Sequence, residues 1–245
     1  MYQKLASLDI PVMIFAPYGT SRHELTDKFF QQSLHEAGPE KGSSRGRINP
    51  NWIALLEAIY QLEHQLHANP VGRTIFQKIC YTLTEAGVDT GFRFKQGSYG
   101  PFSAEVKQAL ATLANANLIH EQQLGRMTAI RTGPEFLTVR AKYGEALKAN
   151  NDAVQKTVDL FSRIKNTDQA EEVTTVFFMV RRLQRQGDGS TLTEQDVYDA
   201  VLEWKKHWDT PEKHSAIAAA VRNLMMLGWM KVQFSESLPV EQMAF

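Results

Sequence analysis

The stretch Ser103-Ala104-Glu105-Val106-Lys107-Gln108-Ala109-Leu110-Ala111-Thr112-Leu113-Ala114-Asn115-Ala116-Asn117-Leu118-Ile119 decides the reading of the fold. Ser103 can cap a helix, and Val106, Leu110 and Leu113 recur at the helical period, which predicts a buried stripe. Asn117 tolerates the left-handed conformation that ends a helix sharply and lets the chain turn into a strand. The same pattern returns at a constant offset: Ile217, Val221, Leu224, Gly228, Trp229 and Met230 stand where Val106, Leu110, Leu113, Asn117, Leu118 and Ile119 stood.

Working outward, the segment Leu118 to Thr132 predicts a hairpin turning at Leu124-Gly125. Upstream, Ile53, Leu56, Ile59 and Tyr60 predict one helix from Trp52, and Phe76, Ile79, Cys80 and Leu83 predict a second from Arg73 to Ala86. Helices followed by a hairpin are the order of a winged helix. The second half repeats the helical part, with helices over Glu171–Gln186, after the cap Thr193 with Asp196 at its third position, and after Thr210-Pro211. Between the halves, Leu137, Tyr143, Leu147, Val154, Val158 and Phe161 predict one long amphipathic helix from Pro134 to about Lys165.

The expected fold is therefore mainly α, of the α+β kind: two winged-helix-like units joined by a long helix. Residues 51–133 make the first unit, and residues 134–245 the connecting helix and second unit. Residues 1–50 differ: Ile10–Ala16 reads as a short strand, and the Gly-, Ser- and charge-rich residues 33–50 read as a linker.

Composition narrows the function. Basic and acidic residues balance at 27 each, which argues against an electrostatic grip on nucleic acid or membrane by the whole chain. A single cysteine, Cys80, excludes an intrachain disulfide, and its place on an apolar stripe makes it a small hydrophobe rather than a nucleophile. No apolar run is long enough to cross a bilayer and the first residues do not read as a signal peptide, so a cytoplasmic setting is expected. The pair His64 and His67 lacks a third ligand for zinc. His207 and the acidic set Glu194, Asp196, Asp199 and Glu203 read as a solvated helix face, as does Arg181-Arg182-Leu183-Gln184-Arg185. No phosphate loop or dinucleotide fingerprint is present. The expectation is a non-enzymatic chain without cofactor or metal.

The stretch with the most to offer a partner is Phe92 to Phe102. Phe92 and Phe94 alternate with Arg93 and Lys95, and the turn Gly97-Ser98-Tyr99-Gly100-Pro101-Phe102 follows. Residues 70–133 carry seven Lys or Arg against four Asp or Glu, a local basic bias. Arg93, Lys95, Tyr99, Lys107 and Arg126 are the candidate partner-binding residues. Phe102 is expected to anchor the turn in the core, where its loss would cost about 3–5 kcal/mol.

Two motifs carry a resemblance: Gln77-Lys78-Ile79-Cys80-Tyr81 on a helix, and Tyr99-Gly100-Pro101-Phe102-Ser103 in the turn after it. Together they resemble the C-terminal region of DarG-type macrodomain antitoxins, most closely over about thirty residues and more weakly across 50–132. The Panacea domain of SocA-type antitoxins, with a lysine-bearing helix before a Tyr-Gly-Pro turn, is more loosely similar. The resemblance implies that Lys78, Tyr81, Gly100, Pro101 and Phe102 form a structural motif. It also implies that the chain binds and neutralises a toxin of the DarT kind, an ADP-ribosyltransferase acting on thymidine in single-stranded DNA. Such antitoxins carry an upstream macrodomain that removes ADP-ribose from DNA. Its glycine-rich loops are absent here, so no hydrolase activity carries over, and Ile10–Ala16 with the linker would suit the end of a macrodomain missing from this chain. The rival expectation is a winged-helix DNA-binding regulator reading bases with Lys107, Gln108 and Asn115. Its second recognition helix would carry Arg222 as the sole cation, so nucleic-acid binding is expected to be weak or absent.

Overall fold

A computed structural model describes residues 48–66, 69–125, 127–187 and 191–238. The expected strand at Ile10–Ala16, most of the expected linker, His67 and Arg126 lie outside the described residues. From Ile48 onward the chain forms one compact unit.

Its order is α1 (Ile53–Glu63), α2 (Arg73–Glu85), β1 (Lys95–Gly97), β2 (Gly100–Phe102), α3 (Ala104–Asn115), β3 (Ile119–Leu124) and β4 (Met127–Thr132). Then follow α4 (Phe136–Lys142), α5 (Gly144–Ala149), α6 (Asn151–Arg163), α7 (Thr167–Gln186), α8 (Glu194–Trp204) and α9 (Pro211–Met226). The protein is mainly helical, with two small antiparallel sheets, β1–β2 and β3–β4. In the second hairpin Ile119 pairs with Thr132 and Leu124 with Met127, so the turn falls where the sequence placed it. The far edge of β4 is bonded as well: Ile130 N–H donates to the Val71 carbonyl at 2.8 Å.

Both sharp helix ends form. Asn117 has φ 54°, the one non-glycine residue at positive φ among the described residues, and Gly228 has φ 68°. Asn117 also lies hard against Gly133, where a Cβ would come 2.1 Å from the Asn117 carbonyl oxygen. That contact closes the hairpin back onto the end of α3. The second unit forms no such hairpin among the described residues. After Gly228 the chain makes a single parallel bridge, Thr193 to Gln233.

The long connecting helix is corrected to three. Breaks fall at Tyr143 (φ −104°, ψ 27°) and Asn150 (φ −104°, ψ 6°). A straight helix over Pro134–Lys165 would run roughly 48 Å, whereas α1 spans roughly 16 Å. Breaking it lets α4, α5 and α6 each pack on α1. Gly144 and Asn150 supply weak helix formers at the joints, and Asn150 Nδ2 donates to Ala146 O at 2.7 Å and to Asn51 Oδ1 at 3.3 Å. Leu137, expected on the buried stripe, is exposed.

One hydrophobic core runs through both halves, joining Ile59, Phe76 and Leu83 of the first to Phe161, Val176 and Val221 of the second. Helix α7 lies at the centre, packed on α2 and β2 on one side and on α8 and α9 on the other. Cys80 is fully buried, and burial raises its thiol well above the ordinary range. At the start of α8, Glu194 is not on a solvated face: it is buried and accepts from Ser235 N–H at 3.0 Å. Asp196 forms the expected capping box with Thr193. Two of the three arginines of α7 are also engaged, since Arg181 and Arg185 both reach Glu85.

Candidate functional site: a clamped turn beside an apolar groove

The alternation Phe92-Arg93-Phe94-Lys95 sorts as expected. Phe92 is buried and stacks on Trp52 at 5.6 Å, and Phe94 meets the edge of Tyr81 at 5.2 Å. Arg93 and Lys95 are exposed. Tyr81 itself is buried in an aromatic cluster with Phe177 and Phe178 of α7.

The turn from β1 to β2 is held from below by two buried ammonium groups. Lys78, on α2 and 2% exposed, donates to the carbonyls of Tyr99 and of Pro101, the latter at 3.1 Å. Lys205, at the end of α8 and 1% exposed, donates to the carbonyl of Ser98 and to Glu171 Oε1 at 2.6 Å. The rings of Trp204 and Trp208 stand 5.2 and 4.9 Å from the Lys205 ammonium. Burial pulls Lys78 down to about 8; Glu171 nearby pushes the other way, and Lys205 adds to the lowering. Two cations share one acidic counter-charge here, so backbone carbonyls must supply the remaining acceptors.

Gly100 is required at the centre of this arrangement. Its φ is +83°, and a Cβ there would lie 2.8 Å from Thr175 Oγ1 and 3.0 Å from Lys78 Nζ. Pro101 beside it is buried. Phe102 is the correction: it is 44% exposed and does not anchor the turn. In a strand neighbouring residues face opposite sides, and here Pro101 takes the inner side against α7. Tyr99 is 74% exposed. The turn therefore holds its backbone inside and offers two aromatic rings outside.

Those rings stand at the mouth of a groove of about 1010 Å³ between α2, the β1–β2 hairpin, α3 and the start of β3. Phe76, Val106, Leu110 and Ile119 contribute apolar walls, and Lys95 and Lys107 are among the lining cations. Leu110, expected to be core, is half-buried and faces this groove. Glu121 is held by Arg73 through two hydrogen bonds of 2.7 and 2.8 Å. Of the candidate partner-binding residues, Lys95, Tyr99 and Lys107 come together here. Arg93 is exposed on the adjoining strand but does not line the groove.

Lys205 and Glu171 were missed in the sequence. The signal was the lysine set between Trp204 and Trp208, but periodicity alone places a lysine in solvent. Among the described residues no group of three or more His, Cys, Asp or Glu is arranged to hold a metal, and no helix is long and apolar enough to cross a membrane. His64 bonds back to the Tyr60 carbonyl at 2.7 Å, and Glu63 accepts from the Thr132 backbone at 2.6 Å. No family model matches the chain, and a search of curated proteins finds no match.

Proposed function

We propose that this chain is a non-enzymatic protein-binding module of the antitoxin kind, which works in the cytoplasm by holding an ADP-ribosyltransferase toxin of the DarT type. The observation that carries this reading is the outward display of Tyr99 and Phe102 on a backbone turn tied down by Lys78 and Lys205. Aromatic side chains on a rigid support beside an apolar groove are the usual energetic centre of a protein–protein contact, because little entropy is lost on binding. The antitoxin resemblance rests on the residues that build this turn.

The competing reading is a winged-helix DNA-binding regulator, favoured by the order α3, β3, β4. It is weaker because the exposed face of α3, which does carry the polar Gln108 and Asn115, intersperses them with Glu105, Ala111 and Ala114 and has Lys107 as its only cation. A helix entering the major groove needs several polar readers with flanking cations. Co-expression with a DarT-type toxin in a growth assay tests the proposal. Restored growth is expected from the wild-type chain, and persistent toxicity at equal protein levels would reject it.

A further inference from the structure

We infer that the groove takes an acidic segment of a partner protein, one that seats apolar side chains between α2 and α3 and sets carboxylates against Lys95 and Lys107. This rests on reading the groove as a protein-docking surface, and does not depend on the partner being a toxin.

The lining settles the apolar part. Tyr99, Phe102 and half-buried Leu110 present hydrocarbon above a floor of buried Phe76, Val106 and Ile119, and Ala111 and Ala114 are short enough to let a second backbone come close to α3. The charges settle the rest. Lys95 and Lys107 are exposed and have no ion-pair partner among the described residues. Of the acids nearby, Glu121 is neutralised by the Arg73 guanidinium, whereas Glu105 accepts from the Ser103 hydroxyl and keeps its charge, one carboxylate against two lysines. That hydroxyl, the Glu105 backbone N–H and the positive charge of Arg93 and Lys95 hold the Glu105 carboxyl below its ordinary range. The net charge of these exposed groups is therefore positive, above apolar walls.

A single-stranded nucleic acid would use Tyr99 and Phe102 for stacking, but it also needs a continuous track of cations. Here the exposed lysines are two, Lys95 and Lys107, too few for such a track, and the lining between them is apolar. An apolar, acidic peptide matches both features at once.

The test is selection of a random dodecamer peptide library on the full chain, followed by titration of the best fluorescent peptide and of an oligothymidylate of equal length. The expected consensus is paired large apolar residues flanked by Asp or Glu. Lys95→Glu with Lys107→Glu should weaken the selected peptide by at least about tenfold, added salt should weaken it too, and the melting temperature should hold. Failure to enrich, a basic or uncharged consensus, indifference to the charge reversals, or tighter binding of the oligothymidylate would each overturn the inference. The selection uses no toxin. A chain that binds such peptides but ignores the toxin refutes only the antitoxin reading, whereas toxin binding that is indifferent to both reversals refutes only this inference.

Discussion

The ammonium of Lys205 lies 2.6 Å from Glu171 Oε1, with the lysine side chain 1% exposed and the carboxylate 12% exposed. The pair sits in the second half of the chain, yet the same ammonium donates to the Ser98 carbonyl in the first half. Lys205→Met should therefore destabilise the fold by about 3 kcal/mol, because it strands a mostly buried carboxylate and removes the donor to the part-buried Ser98 carbonyl. Adding Glu171→Met should recover part of that loss. Denaturant melts of the two single variants and the double variant measure the coupling, and strict additivity would mean that the two charges do not stabilise one another.

Lys78 makes stability depend on pH. Its folded value of about 8 lies below the ordinary lysine value, so between about pH 8 and 10.5 the unfolded chain binds more protons than the folded one. Stability contributed by this group must then rise with pH through that window, by up to about 3 kcal/mol. The comparison is with Lys78→Met, which shares the other titrating groups. The stability of wild type relative to Lys78→Met should increase from pH 7.5 to pH 10, and a constant difference would contradict the burial of a titrating ammonium.

The turn should separate into structural and displayed residues. Gly100→Ala forces a side chain into a left-handed backbone against Thr175 and Lys78, and should cost at least about 2 kcal/mol. Phe102→Ala, with its ring partly in solvent, should cost about 1 kcal/mol or less. Thermal melts decide between this ordering and its reverse.

Duplex DNA should bind weakly and without sequence preference, since basic and acidic residues balance across the chain and α3 exposes one cation. Anisotropy titration at physiological salt measures this. Sub-micromolar affinity for one particular duplex would favour the regulator instead.

Much of the helical order was legible because it depends on local constraints. Asn117 and Gly228 marked helix ends through their backbone tolerance, and Thr193 with Asp196 marked a cap. Three features were not legible, for a shared reason. The breaks at Tyr143 and Asn150 answer to the length of α1, the burial of Lys205 to a carbonyl far away in the chain, and the exposure of Phe102 to which face of the turn meets α7. A periodic pattern shows that a segment has a buried side; it does not show what lies across from it. Lys78 and Gly100 stood out only through the antitoxin resemblance, and their contact became intelligible only once the ammonium was seen beneath the turn.

The central claim is that the clamped turn is a protein-binding surface. Calorimetric titration of a purified DarT-type toxin into the wild-type chain and into the Tyr99→Ala, Lys95→Ala double variant tests it, with thermal melts on the same samples. The account predicts melting temperatures within a few degrees of each other and an affinity at least about tenfold weaker for the variant. Equal affinities for the two chains would contradict it.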